Sequence, residues 1–200
     1  MHKKSENTLV IIKPDGVQRS LVGEIMGRFE RAGLKLVGLK FVVPDVGTIE
    51  KHYLTDPGWK VKTGSKAIES YRKNGKKPPI EDPEQAGEAV LKNLKNYLSS
   101  GPVVMMVWRG IHAVGIVRKL VGSTEPLSSD VGTIRGDFTI DSYEIADLDK
   151  RAVRNLIHAS GNVDEAAKEI DLWFKKGELI AYNLVSEKIL YNAIWEGILE

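Results

Sequence analysis

Arg154-Asn155-Leu156-Ile157-His158-Ala159-Ser160-Gly161 is a run in which a histidine follows an apolar pair and precedes small and polar residues. An imidazole is neutral in a large share of molecules near pH 7 and also exchanges protons there, so His158 is a candidate nucleophile. A histidine at the end of a strand is more often structural than catalytic, so the rest of the chain has to decide between these interpretations. We expect residues 155–158 to form a strand of the central sheet.

The chain after this strand has the pattern of an amphipathic helix. Asn162 with Glu165 three residues later is typical of a capping box that begins a helix. Glu169 would lie one turn or so beyond its start. The residues that would face the sheet are Ala166, Ile170 and Trp173 or Phe174. The tail after Gly177 is amphipathic, with Trp195 near its end, and either packs on a neighbouring subunit or frays.

Three more strands are predicted before the histidine, at residues 8–13, 34–43 and 103–108. Amphipathic helices are predicted between them, at residues 21–32, from Asp45 to Tyr53, and after a turn at Arg109-Gly110. The last of these helices carries Ala113, Ile116, Val117 and Leu120 inward. Residues 122–138 look like a loop. Four strands interleaved with such helices predict an α/β or α+β sandwich with the helices packed against one sheet.

The composition changes between Thr55 and Ser100, where Pro, Gly and polar residues interrupt two weak helical patterns. We expect an insertion at about residues 54–100 that lies on the body of the domain. Its first half is basic and its second half begins with acidic residues. A solvated face with internal charge pairing is therefore favoured over a nucleic-acid patch.

Composition and charge exclude several classes of protein. The 200 residues with 42% hydrophobic content suit a single domain over residues 1–200. A formal net charge of +2 does not favour nucleic-acid or membrane binding as the main role. The absence of cysteine excludes thiolate chemistry, and the four histidines have no ligand-like spacing, so no metal ligands are expected in the protein itself. With no signal peptide and no apolar run near the roughly 20 residues of a membrane span, we expect a cytoplasmic protein.

Several cationic and hydroxyl side chains suit a bound polyphosphate. Lys13 lies at the exit of the first strand, Arg118 lies on a helix, and Thr124 and Arg135 lie in the long loop. Each of them alone would usually be a solubilising surface residue. The sequence has neither a P-loop motif nor G-x-G-x-x-G after a strand, so any nucleotide site must be built in another way.

Three separated blocks together resemble the nucleoside diphosphate kinase family over about residues 8–174. They are Lys13-Pro14-Asp15-Gly16-Val17-Gln18-Arg19, Gly132-Thr133-Ile134-Arg135-Gly136-Asp137-Phe138 and Asn155-Leu156-Ile157-His158-Ala159-Ser160. The resemblance implies a ferredoxin-like sandwich with a four-stranded antiparallel sheet. It also implies a ping-pong mechanism, in which His158 takes the γ-phosphate of a nucleoside triphosphate, usually ATP, and passes it to a nucleoside diphosphate.

The resemblance further implies a role for each site residue. Glu169 would orient the imidazole and stabilise its positive charge, and Ser160 would support that carboxylate. Tyr53 would stand near the transferred phosphoryl group. The phosphate contacts would be Arg118, Thr124 and Arg135, and the ribose contacts would be Lys13 and Asn155. Mg²⁺ would arrive with the nucleotide, and base selectivity would be low.

The chain departs from the family pattern at three places. The connection after Tyr53 is longer, so the aromatic residue that stacks on the base is uncertain; Trp59 is the candidate, with a structural role as the alternative. The segment at about residues 142–153 is also extended, which leaves the residue on the other face of the base unassigned. Gly161 stands where the family commonly has Asp.

The resemblance implies a homo-oligomer, with a hexamer favoured and a tetramer as the alternative. Two other interpretations stay open at this point. One is a catalytically idle relative that binds nucleotide or nucleic acid through the basic segment, and the other is a purely structural hexamer subunit.

Overall fold

A four-stranded sheet forms the centre of the computed structural model, which describes residues 5–73 and 75–191. The strands are β1 (Ser5–Ile12), β2 (Lys35–Val42), β3 (Val103–Ile111) and β4 (Ile157–Ala159). Their order in the sheet is β2-β3-β1-β4, and every neighbouring pair is antiparallel. This arrangement confirms the predicted ferredoxin-like sheet.

Helices connect the strands and cover both faces of the sheet. They are α1 (Pro14–Gln18), α2 (Val22–Arg31), α3 (Val46–Tyr53), α4 (Trp59–Lys73), α5 (Pro83–Leu98), α6 (Ala113–Val121), α7 (Ile134–Phe138), α8 (Tyr143–Leu148), α9 (Val163–Trp173) and α10 (Glu187–Tyr191). A 3-10 turn covers Pro126–Ser128. Helices α1, α7 and α8 form in segments for which the sequence predicted a turn, a loop and no clear structure.

The core has two layers, one on each face of the sheet. Val10, Ile12 and Trp108 face α2 and α6 on one side. Leu9 and Ile11 face α3, α9 and the end of α5 on the other side. Because β1 is central and both of its faces are buried, it appears in the sequence as a continuous apolar run.

Two helices begin at the caps that the sequence predicts. The Asp45 side chain accepts a hydrogen bond from the Thr48 amide at 2.9 Å and begins α3. The Asn162 side chain accepts one from the Glu165 amide at 2.9 Å and begins α9. Each cap satisfies an amide that the helix itself leaves without a partner.

Two strand boundaries differ from the prediction. β3 continues through Arg109 and Gly110, because these residues pair with Asn7 and Glu6 of β1. β4 begins at Ile157, two residues later than expected. The preceding Leu156 has a φ of 63°, which breaks the extended conformation, and its carbonyl accepts from the Lys13 amide at 2.8 Å.

The segment after Tyr53 folds as a hairpin of α4 and α5 that lies on the domain. Two glycines let these helices touch: a Cβ atom on Gly64 would lie 1.8 Å from the Pro83 carbonyl, and one on Gly87 would lie 2.1 Å from the Lys60 carbonyl. The predicted charge pairing is present as Lys60–Glu88, Lys73–Glu69 and Lys77–Glu81 ion pairs.

The described part of the tail packs on its own sheet rather than fraying. The Ile180 amide donates to the Val37 carbonyl at 2.7 Å, and the Tyr182 hydroxyl donates to the Leu36 carbonyl at 2.7 Å. Trp195 lies outside the described residues. Within residues 5–73 and 75–191, we find no helix with the length and apolar character needed to cross a bilayer.

Candidate active site

A cleft of about 820 Å³ opens between the α4–α5 hairpin, α6 and the chain on either side of β4. It gathers most of the side chains predicted from the sequence, although they come from distant parts of the chain. The predicted residues that line it are Lys13, Tyr53, Trp59, Arg118, Thr124, Arg135, Asn155, His158 and Glu169. Ser160 is fully buried behind His158.

His158 lies on β4, opposite Ile11 of β1, which fixes the backbone that carries the ring. Its Nε2 atom is buried and lies 2.9 Å from Oε1 of Glu169 on α9. The approach is not that of a well-aligned hydrogen bond, so we treat it as a close polar contact that becomes an ion pair when the ring is protonated. Because Nε2 faces the carboxylate, Nδ1 is the ring nitrogen left for chemistry.

Glu169 is itself held from behind by Ser160. The Ser160 hydroxyl donates to Oε2 of Glu169 at 2.6 Å and accepts from the Leu9 amide at 3.1 Å. Burial alone would raise the pKa of Glu169, but the charge of His158 and its contact, together with His52 and Ser160, lower that pKa to about 2. The carboxylate is therefore ionised at neutral pH.

His52 is a site residue that the sequence analysis missed. Its ring makes an edge contact with the His158 ring, with 4.5 Å between the centroids. Its Nδ1 atom accepts from the indole N–H of Trp173 at 3.2 Å, and burial, followed by the charge of His158, lowers its pKa to about 3. His52 is thus neutral at pH 7. Its position three residues after buried Ile49 on α3 is the periodic signal that could have identified it.

His52, His158 and Glu169 form a compact group, with ligand atoms within 4.8 Å of one another. These three residues have no regular spacing in the sequence, so the sequence analysis did not predict that they lie together. The indole of Trp173 already donates to Nδ1 of His52, so this atom is not free to bind an ion while that hydrogen bond is kept.

Arg135 is buried and uses most of its guanidinium on the protein backbone. It donates to the carbonyls of Asn155, Gly122, Ser123 and Ile157 at 2.7–3.1 Å. A guanidinium has five N–H groups, so one donor remains for a ligand. Burial lowers the pKa of Arg135 to about 10, and the group stays charged at neutral pH. Arg118, in contrast, is exposed on α6.

Lys13 and Asn155 form a buried pair at the base of the cleft. The Lys13 ammonium donates to the Asn155 side-chain oxygen at 2.6 Å, and the Asn155 amide donates to the Thr124 carbonyl at 2.9 Å. Burial, with a smaller effect of Arg135, lowers the pKa of Lys13 to about 7. The protonation state of Lys13 near neutral pH therefore depends on the groups around it.

Two aromatic rings lead from the histidines towards the cleft mouth. Tyr53 packs against His52 at 4.9 Å between centroids, and Trp59 packs against Tyr53 at 5.4 Å. Trp59 is the first residue of α4 and lines the cleft, as a base-stacking residue would. Its contact with Tyr53 is also what a packing role requires, so this assignment stays a prediction.

The two segments that the sequence showed as extended contact each other beside the cleft. Lys76, in the loop between α4 and α5, forms an ion pair of 2.8 Å with Glu144 of α8. Ala152 and Val153 line the cleft after α8 and are the apolar candidates for the second face of the base. The sequence could not assign them, because the length of the extension hid their alignment with the family pattern.

Gly161 lies beside a carboxylate that comes from elsewhere. A Cβ atom at this position would be 2.6 Å from Oε2 of Glu165. An acidic side chain, that of Glu165 four residues further along the chain, thus lies next to the position where the family commonly has Asp.

Comparison with known proteins agrees with this geometry. The sequence model described as "Nucleoside diphosphate kinase" matches residues 6–73 and 83–179. The chain is 46% identical over 179 residues to a nucleoside diphosphate kinase of Pyrobaculum aerophilum, covering 88% of this chain and 98% of that protein. A crystal structure of an NDP kinase from that organism has a TM-score of 0.85 at 45% identity, covering 88% of this chain and 100% of the other.

Two ligand-bound structures are also similar. A transition-state mimic of the Borrelia burgdorferi enzyme with vanadate and ADP has a TM-score of 0.77 at 35% identity, covering 94% of this chain and 98% of that one. A Halobacterium salinarum enzyme in complex with CDP has a TM-score of 0.68 at 33% identity, covering 94% of this chain and 99% of that one. With its fold, its cleft and most of its sequence matched, this chain belongs to the nucleoside diphosphate kinase family.

Proposed function

We propose that this protein transfers a phosphoryl group between nucleotides in two steps through a phosphohistidine on His158. The observation that carries the proposal is the contact between Nε2 of His158 and the buried Glu169, which leaves Nδ1 as the nucleophile. Covalent catalysis of this kind lets two anionic substrates use one polyphosphate site in turn.

In the first step, the Nδ1 lone pair attacks the γ-phosphorus of a nucleoside triphosphate. The bond from phosphorus to the bridging oxygen breaks, and its electrons leave with the nucleoside diphosphate. The ring gains positive charge, which the ionised Glu169 stabilises while Ser160 keeps that carboxylate in place. In the second step, a terminal oxygen of another nucleoside diphosphate attacks phosphorus and the P–N bond breaks.

The remaining roles follow from the cleft. Arg118, Thr124 and Arg135 would contact phosphate oxygens, Tyr53 would stand beside the transferred group, and Lys13 with Asn155 would contact ribose hydroxyls. The Borrelia relative of the same fold was solved with ADP and vanadate, which supports a nucleotide site in this fold. Positioned donors and charge neutralisation are the main requirements of phosphoryl transfer.

Mg²⁺ would be held by the phosphate oxygens and water. The cationic side chains of the cleft, Arg118 and Arg135, would contact the phosphates rather than the ion. The chemistry of the donors fits this arrangement, because the predicted phosphate contacts are cations and a hydroxyl rather than a carboxylate cage. When bound, the ion neutralises phosphate charge and favours displacement at phosphorus.

We place the base between Trp59 on one side and Ala152 or Val153 on the other, all of which line the cleft. Stacking between rings and apolar side chains does not discriminate strongly among bases. Low base selectivity therefore remains the expectation for this enzyme.

We propose a homo-oligomer that covers the free edge of the sheet. Strand β2 lies at that edge, and the described part of the tail covers only its first half, at Leu36 and Val37. Leu39 and Phe41 of its second half, and Val43 just after it, are exposed to about half or two-thirds of their full extent. Exposed apolar edge strands pair readily, and a second copy of this chain is the occupant expected here. A hexamer, rather than a tetramer, is favoured by the resemblance to the family. Light scattering of Phe41→Glu would give a smaller assembly than the wild type.

Two expectations from the sequence stay predictions: a single domain over residues 1–200 and a cytoplasmic location. A nucleic-acid role for the basic segment has less support than the kinase, because Lys60, Lys73 and Lys77 each pair with a nearby glutamate.

Incubation with γ-labelled ATP tests the proposal directly. We expect an acid-labile label on the protein that transfers to added GDP or CDP. The label should be absent from His158→Ala and retained by His112→Asn, an exposed histidine outside the cleft that serves as the matched control. Nucleotide binding without a label would instead indicate an idle relative, and neither binding nor label would indicate a structural subunit.

A further inference from the structure

Tyr97, near the end of α5, lies beneath the nucleotide cleft and contacts a residue that lines it. The Lys13 ammonium lies over the Tyr97 ring, 4.8 Å from the ring centroid. The same ammonium donates to Asn155, so it is held between an aromatic face and an amide oxygen. A cation at this distance from an aromatic face is attracted by the ring electrons, most strongly where water is excluded.

The hydroxyl of Tyr97 points towards a second charged residue of the same turn. It is buried and lies beside the Asp15 carboxylate, in a contact short of a well-aligned hydrogen bond. Burial raises the pKa of Tyr97 well above its usual value, and the charge of Asp15 raises it further, so the phenol keeps its proton. Lys13 and Asp15 flank Pro14 at the start of α1, and Tyr97 therefore contacts the turn on both sides.

We propose that Tyr97 is a positioning residue for the transfer reaction: its ring holds the Lys13 ammonium and its hydroxyl holds Asp15, so that Lys13 stays charged and directed at the bound nucleotide. The proposal rests on the nucleotide site described under Proposed function. It adds a residue from the α4–α5 hairpin to that site, on the side opposite the ligand.

Lys13 needs such support because its surroundings oppose its charge. Burial and the charge of Arg135 lower the pKa of Lys13 to about 7, whereas Asp15 raises it. His52 also lies close enough for the charge of Lys13 to act on it, and His52 is neutral. The electron-rich face of Tyr97 and the carboxylate of Asp15 are therefore the groups that favour the protonated amine.

Helix α5 fixes the position of the ring. Leu91 and Leu98 are fully or almost fully buried on the same helix, and Leu98 belongs to the core layer below the sheet. Tyr97 precedes Leu98 directly, so the packing of α5 on the domain sets the place of the phenol. Through Tyr97 the hairpin thus contacts the turn that carries Lys13.

The test compares Tyr97→Leu and Tyr97→Phe by calorimetric titration with ADP on either side of neutrality. Tyr97→Leu removes the ring, so we expect roughly 10-fold weaker ADP binding at about pH 8.5 and a smaller loss at about pH 6, where Lys13 is protonated in both proteins. Tyr97→Phe keeps the ring and removes only the hydroxyl beside Asp15, so its loss of affinity should be smaller than that of Tyr97→Leu. Lys13→Met provides the reference in which the pH dependence is lost.

A loss of affinity that is equal at both pH values, or no loss at all in a variant with unchanged melting temperature, would overturn the proposal. If Tyr97→Leu does not fold, a series of fluorinated phenylalanines at position 97 tests the same proposal. Fluorine removes electron density from the ring face with little change of volume, so affinity at high pH should fall along the series. A flat series overturns the role of the ring, while labelling of His158 would still report the proposed function.

Discussion

Nε2 of His158 lies 2.9 Å from Oε1 of Glu169, and the two side chains come from a strand and a helix that meet only in the folded sheet. The carboxylate has a second contact to Ser160, so it has little freedom to turn away. From this geometry we expect Glu169 to orient the ring rather than to bind nucleotide.

Glu169→Gln should slow the phosphorylation of His158 and leave ADP affinity close to that of the wild type. The amide has the same shape but no charge, so it cannot stabilise the positive ring, and we expect a loss of roughly 100-fold or more. Single-turnover labelling measures the rate, and calorimetry measures the affinity. Strongly impaired ADP binding would show that the carboxylate belongs to the nucleotide site instead.

Arg118 and Arg135 should respond differently to truncation. Arg118 is exposed, so Arg118→Ala should lower turnover by roughly 100-fold, as for loss of one phosphate donor, with an unchanged melting temperature. Arg135→Ala removes four hydrogen bonds to backbone carbonyls, two of them buried, and should also cost about 3 kcal/mol of unfolding free energy. Steady-state kinetics and urea unfolding of both variants make the comparison. A stability loss for Arg118→Ala alone would reverse the assignment.

The pH dependence of stability should report His52. Its pKa falls from 6.5 in the unfolded chain to about 3 in the fold, so the unfolded chain binds more protons between these values. The contribution of neutral His52 to the free energy of unfolding is therefore complete above about pH 6.5 and is lost as the pH falls towards 3, by on the order of 4 kcal/mol. His52→Gln should flatten this part of the curve of unfolding free energy against pH. Glu169 contributes in the same direction only below its unfolded value of 4.5. A mutant curve as steep as that of the wild type between pH 6 and 5 would exclude His52 as the cause.

The sequence predicted the four strands and the caps at Asp45 and Asn162, and nearly all of the site residues that it predicted line the cleft. These depend on local periodicity and on short motifs, which are visible in one chain. What it missed depends on tertiary contacts. β3 runs through Arg109 and Gly110 because β1 pairs with them, and no turn signal can show that. His52 is recognised as a site residue from its contact with the ring of His158, which exists only in the folded protein.

Trp59→Ala should weaken the binding of ADP, GDP and CDP to a similar degree, roughly 10-fold, if the indole stacks on the base. Trp59→Phe should restore most of the affinity, because a smaller ring still stacks. Val61→Ala, an exposed residue on the same helix, is the matched control for effects on α4. Calorimetric titration with the three diphosphates makes the comparison. Unchanged affinities with a lower melting temperature would assign Trp59 to packing on Tyr53.

Gly161→Asp should bring two carboxylates together and destabilise the protein modestly. A Cβ at this position lies 2.6 Å from Oε2 of Glu165, but that atom is the end of a flexible side chain and can move. We expect a cost of about 0.5–1 kcal/mol, which Glu165→Ala should relieve when the two changes are combined. Melting temperatures of the two single variants and the double variant measure this coupling, and activity should survive throughout. If the effects of the two substitutions on the melting temperature are additive, the introduced carboxylate at position 161 does not interact with Glu165.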